Sequence, residues 1–227
     1  MDFDCHVDSY REAVSQAAGV SVELLAAEKA RMILDVLADC LGDPKRLQVL
    51  DIGCGIGLID RALNRGVAKL YGVDTSLRSL KIARTTAPTA CFVHYDGARL
   101  PFVSSSIDAA FASCVLHHVP LNARRSFMLE MLRPLRRMGV VIVIEHNPIN
   151  PVTRRIVSRC ALDADAVLLR RRETAQLLAE AGATVIGRRY VGFSPFRNAF
   201  VERAESVVGW LPIGAQYCVW GIKAGED

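Results

Sequence analysis

The nine residues from Val49 to Gly57 constrain the fold of this chain more than any other segment. They read VLDIGCGIG, an apolar run that ends in Asp51 and passes at once into three glycines spaced two residues apart. A helix-like segment follows, from about Leu58 to Asn64. Strand, tight glycine turn and helix in this order are the opening unit of a nucleotide-binding α/β sheet. Glycines in such a turn let the backbone approach a ligand and adopt positive φ values.

The spacing of these glycines argues against a dinucleotide ligand. The fingerprint G-x-G-x-x-G, started at Gly53, requires glycine or alanine at position 58, where this chain has Leu58. The observed pattern is D-x-G-x-G-x-G, and a carboxylate at Asp51 suits a ligand that carries an ammonium group. A dinucleotide oxidoreductase is therefore a distant alternative, as is a glycine turn without any ligand.

Three later strands repeat the pattern of an apolar run with a polar end. In chain order they read KLYGVD, which ends at Asp74, then CFVHYDG, which contains Asp96, and then IDAAFASC, which continues into VLHHVP. Asp74 lies 17 residues after Gly57, about the interval at which an acid meets a ribose diol in such folds. Acids at strand ends often cap the next helix. Four such segments, at intervals of a strand plus a helix, nevertheless indicate one sheet with a shared ligand edge.

These motifs resemble those of the class I S-adenosylmethionine-dependent methyltransferases, over about residues 45–145. The resemblance implies S-adenosylmethionine as cofactor and S-adenosylhomocysteine as product. It places the methionine end on the glycine loop, the ribose on Asp74, the adenine amino group near Asp96, and the sulfonium above the exit of the fourth strand. It also implies that Tyr10, in an N-terminal arm, caps the site. The implied cofactor-binding residues are Asp51, Gly53, Cys54, Gly55, Gly57, Asp74, Thr75, Asp96, Gly97, Ala98, Ser113, Cys114 and Tyr10.

The patterning of the rest of the chain predicts an α/β fold. We expect a Rossmann-like sheet of seven mostly parallel strands, with helices on both faces and the last strand antiparallel. Ser21–Leu41 reads as an amphipathic helix, because its apolar residues share one face and Gly42 and Pro44 follow it. The continuous apolar run Val140–Ile144 is typical of a strand buried on both faces. The last two strands are predicted over 184–191 and 216–223.

The predicted organisation has two parts. Residues 1–44 form an N-terminal arm and helix that act as a cofactor lid, and residues 45–227 form the methyltransferase domain. Two segments exceed the bare scaffold, at about 146–170 and about 193–213. Loops at the carboxyl ends of parallel strands line the ligand crevice, so we expect both segments to face the acceptor.

The ends of the fourth and fifth strands carry the candidate catalytic residues, which are His117, His118, Glu145 and His146. Methyl transfer requires that the acceptor be positioned and desolvated, and hydroxyl or carbon acceptors usually also need a base. Histidine titrates near neutral pH. His118 matches a position where the family's fourth motif often carries a histidine, and the preferred base assembly is Glu145 orienting His146. A metal site from these side chains is an alternative on ligand type, but the spacing does not require it and none is predicted.

The segment after the fourth strand and the charge of the chain limit the classes of acceptor. Methyltransferases that act on exocyclic amines typically carry Asn/Asp-Pro-Pro-Tyr after the fourth strand, where this chain has Ser-Cys-Val-Leu. The net charge of +4 is mild, and no basic stripe with interleaved aromatics occurs, so no nucleic acid partner is expected. Nine arginines between Arg133 and Arg172, against three acids, favour an anionic acceptor. However, arginine is used far more than lysine throughout, so a compositional habit is the simpler explanation.

The remaining features predict a cytoplasmic protein without a transmembrane segment. The longest apolar run is too short to span a bilayer, and residues 1–6 lack the pattern of a signal peptide. Seven cysteines without a C-x-x-C pair fit reduced thiols better than a disulfide framework. Nothing in the sequence sets an oligomeric state.

The sequence therefore predicts a methyltransferase that acts on a small molecule such as a sugar, a lipid or a secondary metabolite. Oxygen is the expected acceptor atom, with carbon and nitrogen left open. The alternative from another class is a non-catalytic subunit that binds S-adenosylmethionine in a regulatory or partner role. Such a subunit would keep Asp51 and Asp74 but tolerate the loss of His118, Glu145 or His146.

Overall fold

Seven strands and seven α-helices make up the fold in the computed structural model, which describes Val7, residues 10–192 and residues 209–225. The strands are β1 (Gln48–Ile52), β2 (Lys69–Asp74), β3 (Cys91–His94), β4 (Ile107–Ser113), β5 (Leu135–His146), β6 (Ala183–Val191) and β7 (Gln216–Lys223). The helices are α1 (Tyr10–Ala18), α2 (Val22–Leu41), α3 (Leu58–Leu63), α4 (Leu77–Thr86), α5 (Arg124–Leu132), α6 (Pro151–Val157) and α7 (Arg171–Glu180).

All seven strands belong to one sheet, in the order β3-β2-β1-β4-β5-β7-β6. The pairs from β3 to β5 are parallel, and β7 runs antiparallel to both β5 and β6. This confirms the predicted seven-stranded, mostly parallel sheet with an antiparallel last strand. The strand order reverses between β1 and β4, and a ligand crevice is expected at such a point, beyond the carboxyl ends of the strands.

Helices cover both faces of the sheet, and β5 shows the division. Val141 and Val143 pack on one face with residues of α5 and α7, whereas Ile142 and Ile144 pack on the other face with residues of α2. Successive side chains of a strand point to opposite faces, so a strand buried on both faces must be apolar throughout. This is the physical reason for the continuous apolar run in the sequence.

Helix α2 belongs to the same core as the sheet. It begins after Ser21, whose hydroxyl accepts a hydrogen bond from the Leu24 amide at 3.2 Å, and it ends before Gly42. Ile33 and Leu37 are fully buried against the sheet. The sequence analysis assigned this helix to an N-terminal unit, and in the structure it forms a layer of the main domain.

Several boundaries differ from the predicted ones. Strand β5 begins at Leu135, five residues before the predicted Val140, because it continues past an irregularity in its pairing with β4. Helix α1 lies in the segment expected to be an arm. The first predicted insertion contains α6 and a short 3₁₀ helix, Ala161–Asp163. Of the second, only residues 209–213 fall within the described part of the chain. Among the described residues, no helix is long and apolar enough to cross a membrane.

Candidate active site

A cavity of about 1300 Å³ opens at the carboxyl ends of β1, β2, β4 and β5, where the strand order reverses. Helices α1, α2 and α6 contribute to its walls. It brings together most of the predicted site residues, including two of the four catalytic candidates. The predicted residues that line it are Asp51, Gly53, Cys54, Gly55, Asp74, Thr75, Gly97, Ala98, Ser113, Cys114, His118 and His146.

The glycine loop is tied to β2 by its backbone. The amides of Gly53 and Cys54 donate to the carbonyl of Val73 at 2.8 and 3.0 Å, and the Gly55 amide donates to Asp74 Oδ2 at 2.8 Å. Gly53 has a φ of 78°, and a Cβ there would lie 2.5 Å from a methyl carbon of Val115. Glycine is therefore required at this position by both conformation and space.

Gly57 serves packing rather than the cavity. It precedes α3 with a φ of 76°, and a Cβ there would lie 3.1 Å from Ala83 on α4. It does not line the cavity. We therefore assign Gly57 the close approach of α3 to α4, and its predicted cofactor contact stays a prediction.

Asp74 lines the cavity, and both of its carboxylate oxygens accept hydrogen bonds from backbone amides. Oδ1 accepts from the Ser76 amide and Oδ2 from the Gly55 amide, both at 2.8 Å. A carboxylate can accept hydrogen bonds from both hydroxyls of a ribose diol. The geometry suits the ribose role, which stays a prediction.

Asp96 holds the turn that borders the cavity. Its Oδ1 accepts from the amides of Ala98 and Arg99 at 2.9 and 3.0 Å. Gly97 and Ala98 line the cavity, whereas the Asp96 side chain is not part of the lining. The adenine contact assigned to Asp96 stays a prediction, and the structure places Tyr95, which the sequence analysis did not single out, in the wall beside it.

Asp51 lines the cavity and pairs with a second buried acid, Asp60 of α3. Asp51 is 2% exposed, and Asp60 is fully buried with no hydrogen-bond donor to either carboxylate oxygen among the described residues. Burial raises the pKa of both carboxyls, that of Asp60 to about 7, and their mutual interaction contributes to the high pKa of Asp51. Lys29 lowers the pKa of Asp51 but does not outweigh these effects, and an ammonium group in the cavity beside Asp51 would add a second cation.

Cys114 lies at the end of β4 among three polar side chains. Lys29 Nζ of α2 and Gln216 Nε2 of β7 donate to its Sγ at 3.3 and 3.2 Å, and His146 also bonds to it. Burial opposes ionisation of the thiol, but Lys29 and His146 outweigh it and lower its pKa to about 6. The same pairing outweighs burial at His146 and raises the pKa of that imidazole. Cys114 and His146 therefore each favour the charged form of the other in the cavity.

The structure corrects the predicted pairing of Glu145 with His146. Glu145 bonds instead to His117, with Oε2 2.5 Å from Nδ1, while its Oε1 accepts from the amides of Val115 and Leu116. Adjacent residues of a strand point to opposite faces, so Glu145 enters the core while His146 enters the cavity. Neither Glu145 nor His117 lines the cavity, so both predicted catalytic residues lie behind its wall.

His117 is charged because it sits between two carboxylates. Its Nε2 lies 3.2 Å from Asp163 Oδ1, on the side opposite Glu145. Burial disfavours the charged imidazole, but Glu145 and Asp163 outweigh it and raise the pKa of His117 to about 10. His117 already binds a proton on each ring nitrogen at neutral pH and is unsuited to accept another.

His118 is the neutral histidine of the site. It lines the cavity, and its Nε2 lies 3.5 Å from Asp163 Oδ1. Burial and the adjacent charge of His117 lower the pKa of His118 to about 4. Asp163 comes from the 3₁₀ helix that follows α6 and was not among the predicted site residues.

The lining fits S-adenosylmethionine in the donors and acceptors that it offers. The Asp51–Asp60 pair suits the ammonium group, Asp74 suits the ribose, and Ser113 Oγ is a buried polar atom with no partner among the described side chains and backbone. Helix α1 contributes Val14 and Ala17 to the wall. The side chain of Tyr10 lies outside what the structure describes, so its capping role stays a prediction.

Comparisons with known proteins agree with this fit. Residues 50–143 match the family model of a methyltransferase domain. The chain is 28% identical over 126 residues to a demethylmenaquinone methyltransferase of Renibacterium salmoninarum, covering 56% of this chain and 52% of that protein. It is 41% identical over 54 residues to a ubiquinone biosynthesis O-methyltransferase of Alkalilimnicola ehrlichii, covering 24% and 22%. The chain thus spans about half the length of the first relative, and less of the second.

A solved structure shares the fold. Magnesium protoporphyrin IX methyltransferase from Synechocystis PCC 6803, with bound S-adenosylmethionine, superposes with a TM-score of 0.61 at 17% identity, covering 87% of this chain and 79% of that one. Its sheet confirms the predicted fold, and the family match agrees with the predicted methyltransferase resemblance over residues 50–143. Residues 50–143 thus match a methyltransferase domain, and the sheet that contains them has the fold of that structure.

Proposed function

We propose that this protein transfers a methyl group from S-adenosylmethionine to a small-molecule acceptor. One observation carries the proposal: a single cavity joins the glycine loop, Asp51 and Asp74 to the side chains of His118, His146 and Asp163. S-Adenosylmethionine supplies an activated methyl group when bound. The protein must therefore hold the acceptor in line with that methyl group, exclude water and remove a proton where the acceptor requires it.

One group of cavity residues is proposed to bind the cofactor. Asp51 binds the ammonium group and Asp74 the ribose hydroxyls, while Gly97 and Ala98 provide backbone contacts beside the adenine. Ser113 and Cys114 form the floor at the end of β4. The thiolate of Cys114 places a negative charge at that floor, where it complements a sulfonium cation.

His118 is the base that we propose. It is the catalytic candidate that lines the cavity with a carboxylate, Asp163, beside it. A carboxylate next to an imidazole orients the ring and stabilises the imidazolium formed when the ring accepts a proton. His146 lines the same cavity but is bonded to Cys114, so we assign it to the support of the thiolate.

The acceptor that we propose is an apolar molecule with a phenolic or hydroquinone hydroxyl. The cavity exceeds the usual range of about 300–1000 Å³ for one ligand, which leaves room for a cofactor and an acceptor together. Its outer walls are largely apolar, and two relatives are named for work on quinones. The exposed arginines of α6 do not line the cavity, whereas Lys29, Arg31 and Arg189 do. The wall residues meant here are Val14, Leu25, Met32, Val152, Ile156 and Ile213.

The test is transfer of labelled methyl from S-adenosylmethionine to a panel of hydroquinones, catechols and alkylphenols. We expect O-methylated product with the wild-type chain, at least about 100-fold slower product formation with His118→Ala, and wild-type rates with His94→Ala. His94 is the matched control because it is an exposed histidine at the end of β3. Binding of S-adenosylmethionine without transfer to any acceptor of the panel would contradict the proposed acceptor class and favour the non-catalytic alternative.

A further inference from the structure

Three side chains, two in the wall of the cavity and one behind it, have the arrangement of metal ligands. His117, His118 and Asp163 each offer one ligand atom, and these atoms all lie within 4.8 Å of one another. They come from two short elements, the 3₁₀ helices Leu116–His118 and Ala161–Asp163. Two imidazoles and one carboxylate, with further positions open, are a known ligand set for divalent first-row transition metals.

The separations agree with coordination to one ion. Two atoms each about 2.05 Å from a tetrahedral ion lie about 3.3 Å apart. In the structure, Asp163 Oδ1 lies 3.2 Å from His117 Nε2 and 3.5 Å from His118 Nε2. The two imidazole nitrogens lie within 4.8 Å of each other, so an ion bound by all three groups would draw these rings together.

The surroundings also match a metal site. Ligating histidines usually donate their other ring N–H to a carboxylate, which fixes the tautomer and the ring orientation. Glu145 does this for His117, since its Oε2 lies 2.5 Å from Nδ1. His118 and Asp163 line the cavity, so the open coordination position would face the acceptor. Glu145 and Asp163 together carry the two negative charges that a divalent ion would balance.

We propose that His117, His118 and Asp163 form a binding site for a divalent transition metal such as Zn²⁺ in the acceptor half of the cavity. Binding displaces the proton on His117 Nε2, and the two imidazole nitrogens favour Zn²⁺ or Co²⁺ over Mg²⁺ or Ca²⁺. The site goes beyond the proposed function and stands whether or not the chain methylates an acceptor. Both roles use the same imidazole, so the base role that we propose for His118 applies to the chain without a bound ion.

The test is a titration of the full, chelator-treated chain with Co²⁺, followed by visible absorption, and then competition by Zn²⁺. We expect one Co²⁺ per chain with the d–d bands of nitrogen and oxygen ligands. His118→Ala and Asp163→Ala should each weaken binding at least about 100-fold. The controls His94→Ala and Asp165→Ala, which change an exposed histidine and an exposed acid two residues from the site, should bind as the wild type does.

Three results would overturn the proposal. They are no binding by the wild type at stoichiometric Co²⁺, binding that survives both His118→Ala and Asp163→Ala, or a thiolate-to-cobalt charge-transfer band that disappears in Cys114→Ser. The last would place the ion on the Cys114–His146 pair instead. The thermal midpoint of each variant without metal separates loss of the ligand from loss of the fold. No acceptor or methyl donor is needed, so the result does not depend on the proposed activity.

Discussion

The Nδ1 atom of His117 lies 2.5 Å from Oε2 of Glu145, and both side chains are 1% exposed. The other oxygen of Glu145 accepts the amides of Val115 and Leu116, at the turn that follows β4. One buried carboxylate therefore joins the end of β5 to the segment that carries His118. The contact between Glu145 and His117 fixes the segment that carries His118, although neither of these two side chains lines the cavity.

Removing the charge of Glu145 should destabilise the fold. Glu145→Gln leaves Asp163 as the remaining carboxylate beside the His117 imidazolium, and breaking a buried ion pair typically costs about 3–5 kcal/mol. We expect a loss of about 3 kcal/mol in the free energy of unfolding, measured by urea denaturation at pH 7. Glu180→Gln, at an exposed position of α7, is the control and should change stability by less than about 0.5 kcal/mol. A loss below about 1 kcal/mol for Glu145→Gln would contradict a charged His117.

The buried acid Asp60 should make stability depend on pH in an unusual direction. Its pKa is about 7 in the folded chain, against about 3.9 when unfolded. Between these values the folded state keeps a proton that the unfolded state has lost, so this group's contribution to stability falls as pH rises from about 4 to about 7.

Asp60→Asn removes that contribution. The free energy of unfolding of the variant minus that of the wild type should therefore rise by more than about 1 kcal/mol from pH 4 to pH 7 and then level off. The measurement is urea denaturation of both proteins across that range, with Asp43→Asn at an exposed position as the control. A flat difference would show that Asp60 is ionised throughout.

Asp74 should contribute directly to cofactor affinity. Asp74→Asn removes a charged acceptor from the ribose, and hydrogen bonds to a charged group contribute about 1.5–3 kcal/mol. We expect S-adenosylmethionine to bind at least about 10-fold more weakly, measured by equilibrium dialysis with labelled cofactor. Because Asp74 also accepts the Gly55 amide, the thermal midpoint of the variant must be recorded to separate a local from a global effect. Unchanged affinity would remove Asp74 from the ribose.

Cys114 should react faster than Cys54 at mildly acidic pH. Lys29 and His146 outweigh burial and lower its pKa to about 6, whereas burial raises the pKa of Cys54 nearby in the same cavity. Thiolates, not thiols, react with alkylating agents. We expect iodoacetamide at pH 6.5 to label Cys114 before Cys54, as read by peptide mass mapping. Lys29→Met should slow labelling of Cys114 at this pH, and equal rates in both proteins would rule out the Lys29 contact.

The parts of the site that the sequence predicted are those encoded locally. The glycine loop and Asp74 each stand at the end of a strand whose apolar run is visible in the sequence. Lys29 and Gln216 are different, because they reach Cys114 from 85 and 102 residues away along the chain. Asp163 reaches His117 from 46 residues away. No spacing rule reports such contacts, since they arise only when helices and strands pack.

The incorrect pairing of Glu145 with His146 has a simpler origin. Neighbours in sequence are close in space, but in a strand their side chains point to opposite faces. The alternation that predicted β5 as a buried strand also separates these two side chains. Because side chains alternate along β5, Glu145 lies in the core with Val141 and Val143, and His146 lies in the cavity.

The most direct test of whether this cavity binds S-adenosylmethionine is a calorimetric titration of the full chain with that cofactor. We expect one site with micromolar affinity, competition by S-adenosylhomocysteine, and no binding of NAD. Absence of heat with both sulfur ligands, confirmed by equilibrium dialysis, would contradict the assignment of Asp51, Gly55 and Asp74 to this cofactor.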